Sequence, residues 1–594
     1  MQLDELKRQI TQYRYDEEGQ LVEEIDGEGH STHYEYDAIG NVKRIIEADD
    51  KQAAIDAENF TEFSYDLANR QVLTTYAAVA DPNNASQMIR YTESSTFDDN
   101  GSAVTSTDAN GHTTVVSYDA LNRAFEVTDA LGTVTKFSFD EDDNTTRISV
   151  TAKDAAEAAQ VTTYSYNDFN DLQSETSAVG NALLSSDSDI YQRLRFELGY
   201  TKNDGGTIVA KRVADLTADD KAALEAAFTT QYSYDQSGNL KTETDMLGRV
   251  THYDYDALQR LVEVVDGAQT QTRYRYDGNG NQVARIVNND GQLQTMLETY
   301  NTVNQQIRRV QTVDENTDAT ERYAYDAFGN LALSEDADGN VSAYFYDANN
   351  RLSLSVDGRG YATGYTYDTR GNIKSETRYL DPIGIRSITE AQRNGALVDA
   401  SRPAIAPSVA RYTLHYVYDD RDRISTISDD DGVLSQYQYD AVGNVLTELD
   451  RELETRYVYD DLSRLKSVTD GRENNVQYDY DVLGNVLKRT DARGKVIRIE
   501  YDAQGRVLSR IYDDSVDDEK FGRERYRYDA QANLIYAETA ENGKRYYAFD
   551  ASNRLSRELN EEGYLTTYAY DAVGNLTERN EYSGHYTLTG CAGD

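Results

Sequence analysis

Aromatic and polar positions alternate along most of this chain, and the alternation returns at a fixed spacing. In its cleanest copy, over 568–576, the sequence reads Tyr-x-Tyr-Asp-Ala-x-Gly-Asn-Leu. The aspartate of this phrase recurs at steps of 21 residues, for example from Asp326 to Asp347 and on to Asp368. A fixed period of this size predicts an array of small units, each of which needs its neighbours to bury its surface.

Each unit of the array is predicted to be a β-hairpin. Side chains alternate across a strand, so Tyr-x-Tyr places two rings on one face of an extended segment. Asp-Ala-x-Gly is typical of a turn, because Asp bonds the backbone ahead of it and Gly supplies a left-handed residue. A second Asp-x-x-Gly, such as Asp336 to Gly339, lies near the middle of many units. Two turns per unit leave two strands of about six or seven residues, which predicts a long antiparallel ribbon.

The second Tyr, the Asp and the Gly of each copy carry the pattern. We interpret them as structural positions, and removing a ring is predicted to cost mainly stability. The clearest copies supply these residues: Tyr36, Asp37, Gly40, Tyr255, Asp256, Tyr276, Asp277, Gly280, Tyr325, Asp326, Gly329, Tyr367, Asp368, Gly371, Tyr439, Asp440, Gly443, Tyr480, Asp481, Gly484, Tyr570, Asp571 and Gly574.

These motifs resemble the tyrosine-aspartate (YD) repeat family, also called Rhs repeats. The resemblance spans nearly the whole chain, with 22 copies when Phe replaces Tyr, as at Phe97, or Asn replaces Asp, as at Asn167. The family includes bacterial Rhs polymorphic toxins, the B and C components of insecticidal toxin complexes, and the animal teneurins. The predicted fold is all-β: tandem antiparallel hairpins form a long curled ribbon, with short helices only in insertions. The resemblance implies that the ribbon winds into a partial hollow shell around a cargo.

Breaks in the period divide the chain. We predict repeat arrays over 1–166, 231–368 and 412–580, insertions over 167–230 and 369–411, and a tail over 581–594. Thr217 to Asp220 has the form of a capping box ahead of a helix over 221–228. Further predictions are a short helix over 389–395, a short helix or polar loop over 47–58, a loop or helical turn at the end of 141–160, and a decayed repeat over 196–199.

Composition limits the classes of function. The net charge of -46 argues against nucleic-acid binding, which depends on neutralising phosphates. The single Cys591 excludes an internal disulfide framework. No apolar run approaches the length of a membrane span, so no membrane insertion is predicted, and no signal peptide is visible. Repeats begin and end close to the termini, so the chain is interpreted as a fragment of a longer protein.

No catalytic, cofactor or metal site stands out. His30 and His112 each follow the Gly of a turn, and His252 lies just past such a Gly, as ordinary members of the repeat. Carboxylates are so dense that no catalytic pair can be singled out, and no phosphate-binding or metalloprotease motif occurs. Oxygen-rich turns suit calcium, but no loop has the spacing of an EF-hand.

One local phrase, Asp-Pro-Ile-Gly-Ile over 381–385, is similar to the Asp-Pro-x-Gly-Leu phrase that closes the repeat core of Rhs toxins. In that family, the phrase marks where an aspartate-dependent self-cleavage releases a C-terminal toxin. Here Ile replaces Leu, and many more repeats follow. We therefore interpret the phrase as a turn in a loop.

The sequence favours a non-catalytic structural protein of a secreted or surface-exposed bacterial system. By resemblance, its partner is an enclosed toxin or effector domain that this chain does not contain. The alternative is a cell-surface adhesin whose tyrosine rows bind carbohydrate or a partner protein. An enzymatic function would need a site in one of the two long insertions.

Overall fold

The structure, a computed structural model, is dominated by strands. It describes residues 11–26, 29–81, 84–151, 159–204, 207–289, 292–314, 317–384, 387–398, 402–419, 421–481, 483–502, 505–513, 522–529, 532–550, 553–570 and 576–586. Strands make up 54% of the chain and helices 7%, which confirms the all-β prediction. Among the described residues, 44 strands form one antiparallel sheet that does not close.

The strands are numbered in chain order. Strands β1 to β16 are Gln12–Tyr15, Leu21–Ile25, Ser31–Tyr36, Val42–Glu47, Thr61–Tyr65, Gln71–Thr75, Val79–Asp81, Asn84–Ile89, Thr92–Phe97, Ala103–Thr107, Thr113–Tyr118, Ala124–Thr128, Val134–Phe139, Thr145–Thr151, Gln160–Tyr166 and Leu172–Thr176. Strands β17 to β32 are Thr201–Asp204, Thr207–Ala210, Thr229–Tyr234, Leu240–Thr244, Val250–Tyr255, Leu261–Val265, Gln271–Tyr276, Gln282–Asn289, Gln292–Tyr300, Gln306–Asp314, Thr317–Tyr325, Leu331–Glu335, Val341–Tyr346, Leu352–Val356, Ala362–Tyr367 and Ile373–Tyr379. Strands β33 to β48 are Arg411–Tyr418, Ile424–Asp429, Gly432–Tyr439, Val445–Asp450, Leu453–Tyr459, Leu465–Thr469, Asn475–Tyr480, Val486–Thr490, Val496–Tyr501, Val507–Asp513, Gly522–Tyr528, Leu534–Glu538, Lys544–Phe549, Leu555–Leu559, Tyr564–Tyr570 and Leu576–His585.

Strands pair with their neighbours in the sequence, as expected for tandem hairpins. Where an insertion intervenes, the sheet resumes after it: β6 pairs with β9, and β16 pairs with β19. The small hairpins β7–β8 and β17–β18 lie outside the main sheet. The ribbon therefore keeps its register across the insertions.

A register shift at the second Tyr recurs in the motif strands and was not predicted. In β29, Phe345 pairs with Leu354 but Tyr346 pairs with Leu352, so one residue of β30 is left over. The same shift occurs in most of the other motif hairpins. Such bulges bend a strand and strengthen its twist. The bulges therefore favour a curled ribbon.

Helices occur only in insertions among the described residues, as predicted. They are α1 Lys51–Asp56, α2 Ala178–Ser185, α3 Asp189–Glu197, α4 Ala218–Ala227 and α5 Glu390–Arg393, with a 3-10 turn at Val213–Asp215. The predicted capping box is present at the start of α4: the Thr217 side chain accepts from Asp220 N–H, and the Asp220 carboxylate accepts from Thr217 N–H. Thr389 and Gln392 cap α5 in the same way. The helical turn considered at the end of 141–160 falls largely outside the described residues.

The decayed repeat predicted over 196–199 is wrong. Phe196 lies in the last turn of α3, and Gly199 takes a left-handed φ of 84° just beyond it. The Tyr200 N–H bonds to the Arg195 carbonyl and the Gly199 N–H to the Phe196 carbonyl. These two bonds form a Schellman motif, which is a common helix end. The spacing from Phe196 to Gly199 therefore belongs to a helix terminus and not to a repeat turn.

The contacts divide the chain into two units: Met1–Val115 with Leu297–Asn474, and Val116–Met296 with Asn475–Asp594. In the first unit, a later stretch of ribbon passes beside an earlier one, turn against turn. Asn349 Nδ2 donates to Asp26 Oδ2 at 2.8 Å, and Asn110 Nδ2 donates to Asp440 Oδ2 at 3.1 Å.

The second unit contains a comparable contact between separate stretches of ribbon. Arg249 Nη1 donates to Asn553 Oδ1 at 3.1 Å. Arg249 follows a mid-unit turn, and Asn553 lies in a motif turn. Two stretches of ribbon are thus joined side by side within this unit too.

The two faces of the sheet differ in burial. The tyrosines of the motif lie on one face and are half-buried, except for the exposed Tyr13 and Tyr15 of the first described repeat. The residue between the two tyrosines lies on the opposite face, where Val417 and Val458 are 55% and 50% exposed. At Ala324 and Phe345 the same position is only 1% and 2% exposed. Burial of this second face therefore varies along the ribbon.

Apolar clusters lie where insertions pack on the sheet. The largest joins Phe345 and Leu354 of the second face to Ile388 and Val398 of the insertion after β32. A second cluster fills the helical insertion around Leu183, and a small one lies beneath α1. The insertions thus supply much of the apolar core among the described residues.

Candidate functional site

The aspartate of each motif organises its turn; we call it the turn aspartate. In the turn after β21, Asp256 Oδ1 accepts from Leu258 N–H at 2.9 Å and from Arg260 N–H at 3.0 Å. Side-chain and backbone hydrogen bonds from Arg260 hold the pKa of the Asp256 carboxyl below its usual value. The same pair of backbone bonds occurs at Asp37, Asp277, Asp326, Asp368, Asp440 and Asp481.

The predicted glycines take the left-handed conformation expected of them. Gly40, Gly280, Gly329, Gly371, Gly443 and Gly484 all have positive φ. The N–H of each bonds to the carbonyl of its turn aspartate. This geometry is a type I turn followed by a left-handed residue, a common hairpin connection. Asp571 and Gly574 lie outside the described residues.

The second Tyr of the motif links one repeat to the previous one. Its hydroxyl donates to the carbonyl of the residue that begins the previous return strand. Among the motif tyrosines named in the sequence analysis, this hydrogen bond joins Tyr36 to Leu21, Tyr276 to Leu261, Tyr325 to Gln306, Tyr367 to Leu352, Tyr439 to Ile424 and Tyr570 to Leu555, at 2.7 to 2.9 Å. Tyr255 and Tyr480 hold the equivalent places at the ends of β21 and β39.

Loss of one such hydroxyl should loosen the ribbon locally. Tyr367→Phe removes the donor to the Leu352 carbonyl and is expected to cost about 1 kcal/mol of local stability. Hydrogen exchange of the β30 and β31 amides measures this cost. Tyr361→Phe is the matched control, because Tyr361 is 44% exposed. Equal exchange in the two variants would contradict a linking role for the Tyr367 hydroxyl.

In several motifs, the surroundings of the first Tyr raise its pKa. Burial and the nearby Glu243 carboxylate, 3.1 Å away, raise the pKa of Tyr253 to about 12. Burial and a hydrogen bond to Glu321 likewise raise the pKa of Tyr323 to about 12. The phenols of Tyr253 and Tyr323, each beside a carboxylate, therefore remain protonated to a higher pH than an ordinary tyrosine.

We expect alkaline pH to unfold the sheet. A tyrosine ionises near pH 10 in the unfolded chain, so the stabilisation from the raised pKa values of Tyr253 and Tyr323 is complete below pH 10. It is lost as the pH rises to about 12. We expect circular dichroism to show loss of β structure between these values, in step with tyrosinate absorbance. Full ionisation near pH 10 with the sheet intact would contradict this expectation.

The first of two concave sites lies between α4 and strands β15, β16 and β19. Its volume is about 490 Å³, and its lining includes Ser174, Glu225, Gln231 and Tyr232. Hydroxyl, amide and carboxylate groups therefore face this crevice. The sequence could not locate it, because α4, which forms one wall, is distant along the chain from β15 and β16, although it directly precedes β19.

The second concave site is an apolar groove of about 650 Å³ on strands β43 to β47. Tyr536 and Tyr546 meet edge to face in it, with ring centroids 5.2 Å apart. The Arg527 guanidinium lies 4.8 Å from the centre of the Tyr536 ring, and Tyr586 lies at the margin of the groove. Nothing in the repeat motif predicts this groove.

His30 and His112 lie beside carboxylates, and the Nε2 atom of His112 is also 3.5 Å from Asp461 Oδ1. His30 Nδ1 lies 3.5 Å from Asp49 Oδ2, and His112 Nδ1 lies 3.2 Å from Asp108 Oδ2. Over the described ranges, no group of three or more His, Cys, Asp or Glu residues is placed to hold a metal ion. Cys591 lies outside those ranges. In the same part of the chain, no helix has the length and apolar character that a membrane crossing requires.

The phrase at 381–385 lies in the loop that covers the second face. The Ile383 N–H donates to the Gly360 carbonyl at 2.8 Å, and Ile383 packs on the apolar cluster around Leu354. Asp381 Oδ2 accepts from the Ala410 N–H at 3.4 Å, while Ile385 lies outside the described residues. These contacts tether the phrase to the sheet.

Comparison with known proteins places the repeats in a family. A model described as Teneurin YD-shell matches residues 1–312 and 221–382, which together span more than half of the chain. A second, described as RHS repeat, matches 459–496, 480–517 and 549–581. No curated protein sequence matches the chain.

Several solved structures match the chain at low identity. The crystal structure of TcdB2-TccC3-Cdc42 is 13% identical, with a TM-score of 0.39 over 96% of this chain and 32% of that one. The Photorhabdus luminescens Tc holotoxin pore is also 13% identical, with a TM-score of 0.41 over 96% of this chain and 30% of that one. The chain thus spans about a third of the length of these structures. At such TM-scores the superpositions carry no argument about function.

Proposed function

Because the chain belongs to the teneurin YD-shell family, we propose that it is a non-catalytic wall segment of a YD-repeat shell. The shell would encapsulate or display a toxin or effector domain that lies outside this sequence. The setting would be a secreted or surface-exposed bacterial protein. The family is a structural repeat type, which agrees with this role.

The observation that carries the proposal is the sideways joining of the ribbon within each unit. A lone ribbon of hairpins is only as wide as its strands are long. The bonds from Asn349 to Asp26 and from Asn110 to Asp440 join two stretches of ribbon edge to edge. Such joining widens a narrow ribbon into a sheet, which is what a wall requires.

Cryo-electron microscopy of the purified chain tests the wall role. We expect a curved wall with the half-buried tyrosine rows along one side and an enclosed space. A flat, open ribbon with free tyrosine rows would overturn the proposal. Full-length protein adds a second test: a non-repeat domain inside a shell should resist added protease until alkali unfolds the sheet. Its digestion at neutral pH would exclude encapsulation.

A second candidate function, carbohydrate binding by a surface adhesin, is favoured by the crevice beside α4. Hydroxyl, amide and carboxylate groups are suited to sugar hydroxyls, and Ser174, Gln231 and Glu225 supply them. A glycan array probed with the chain and with Gln231→Ala tests this function. Binding lost in the variant would support it, whereas absence of binding by the unmodified chain would exclude it for the glycans on the array.

A further inference from the structure

The third residue after each described turn aspartate is left-handed, whether or not it is glycine. The φ angle is 88° at Gly329 and 61° at Asn350. Non-glycine residues rarely adopt this conformation, although Asn and Asp tolerate it best. Along consecutive repeats the third position alternates between glycine and a polar residue: Gly329, Asn350, Gly371, Asp422, Gly443, Ser463 and Gly484.

The fourth residue after the turn aspartate alternates in step. Over the same repeats, Asn follows each glycine and Arg follows each polar residue: Asn330, Arg351, Asn372, Arg423, Asn444, Arg464 and Asn485. In this stretch the repeats are therefore of two kinds. The 21-residue spacing conceals a longer period of two repeats.

A fourth-position Asn bonds to the third-position side chain of the next repeat. Asn330 Nδ2 donates to Asn350 Oδ1 at 2.8 Å, while also holding its own turn aspartate, Asp326, at 3.0 Å. Glycine at the third position of the next repeat could not accept this bond. The same contact joins Asn41 to Asn69, Asn144 to Asn170, Asn372 to Asp422, Asn444 to Ser463 and Asn533 to Asn553.

A fourth-position Arg instead covers the aromatic ring that precedes the next turn. The Arg351 guanidinium carbon lies 4.4 Å from the centre of the Tyr367 ring. Arg423 covers Tyr439 at 4.7 Å and donates to the Asp440 carbonyl at 2.6 Å. The other such pairs are Arg70 on Phe97, Arg123 on Phe139, Arg260 on Tyr276, Arg506 on Tyr528 and Arg554 on Tyr570.

Glycine at the next third position leaves room for the long side chain. A Cβ added at Gly371 would lie 3.6 Å from Arg351 Nη1, so a larger side chain would crowd the guanidinium. In two repeats, the third-position residue opposite a fourth-position Arg is not glycine. Asp143 Oδ1 accepts from Arg123 Nη1 at 2.5 Å, and Arg506 faces Ala532, the smallest side chain.

We propose that the fourth position of one repeat and the third position of the next form a two-type code that specifies which repeats pack as neighbours. An array of similar hairpins can pair in many wrong registers, and its specificity needs a device against them. A slip by one repeat would set Asn against glycine and Arg against a polar side chain. The amide bond of Asn would then be lost, and the Arg would be crowded unless the polar side chain were an Asp, as at Asp143. This code is independent of the proposed wall function.

One natural mismatch provides the sharpest test. Asn485 faces Gly505, which offers no side-chain acceptor, and Tyr501 lies just before that turn. Asn485→Arg should therefore place a guanidinium over Tyr501 and slow hydrogen exchange of the β40 and β41 amides about threefold or more. The matched control is Asn444→Arg, which faces Ser463 and should speed exchange in β36 to β38. If both variants change exchange in the same direction, the code is overturned.

A double-mutant cycle tests the pair Asn330 and Asn350. Asn330→Arg alone should speed exchange of the β28 to β30 amides about tenfold, because it loses the amide bond and crowds Asn350. Adding Asn350→Gly recreates an Arg-and-Gly pair above Tyr346 and should return exchange to within about threefold of the unmodified chain. A double variant that exchanges as fast as the product of the two single effects would overturn the code.

Discussion

Replacing Arg195 by alanine is expected to unfold the helical insertion between β16 and β19. The Arg195 side chain has no exposed surface and donates to the carbonyls of Leu183, Ser186 and Lys211 at 2.6 to 2.9 Å. It also pairs with Asp187 at 2.5 Å. Truncation leaves three carbonyls without this donor and opens a cavity, at a cost of about 3 to 5 kcal/mol.

Hydrogen exchange of the α2, α3 and α4 amides measures the loss. Arg193→Ala is the matched control on the same helix, because its ion pair with Glu500 is 3.5 Å long and partly exposed. Such a pair contributes about 1 kcal/mol or less. Similar exchange in the two variants would show that Arg195 does not hold the insertion together.

The second large effect is expected at Phe345. Phe345→Ala removes a ring that is 2% exposed, beneath Ile388 and Val398 of the covering insertion. Loss of a buried Phe costs about 3 to 5 kcal/mol. We expect the insertion after β32 to become sensitive to protease while distant hairpins keep their protection.

Val458→Ala is the control for position, because Val458 also stands between the two tyrosines of its motif. It is 50% exposed, so its truncation should cost less than about 1 kcal/mol. Equal protease sensitivity of the two variants would mean that the insertion is held by something other than the apolar cluster.

The repeat itself could be predicted from the sequence, because its determinants are local. Tyr-x-Tyr, the turn aspartate and the left-handed third position act within about ten residues, and the predicted hairpins, turns and the capping box at Thr217 are confirmed. The resemblance to the YD-repeat family is confirmed as well. The predicted domain boundaries and the enclosed partner stay predictions.

Features that depend on neighbouring repeats were missed. The contacts of the fourth position arise only when hairpins stack. The bulge at the second Tyr, which lies within one hairpin, was missed as well. The alternation of Gly-Asn with Asn-Arg was nevertheless visible in the sequence. The decayed repeat was mistaken because a helix end and a hairpin turn both use glycine after an aromatic residue.

Coverage of the second face is another long-range property that could not be derived from the motif. The pairing of Phe345 with Ile388 joins residues that are distant along the chain. A local sign did exist: the residue between the tyrosines is apolar at Ala324 and Phe345, whereas it is charged at Asp254 and Arg275. An apolar residue at this position does not by itself indicate a covered stretch, because Val458 is apolar and yet 50% exposed.

The pairing of strands in chain order determines how the protein would yield to mechanical force. A sheet pulled from one terminus can open one hairpin at a time, because the ladder at its end must break before the next is loaded. Each repeat of 21 residues would release about 7 nm of chain. The stretches covered by insertions should resist longer, since a packed apolar cluster must break there as well. A force-extension trace would therefore show small regular steps, interrupted at the insertions by larger and less frequent ruptures.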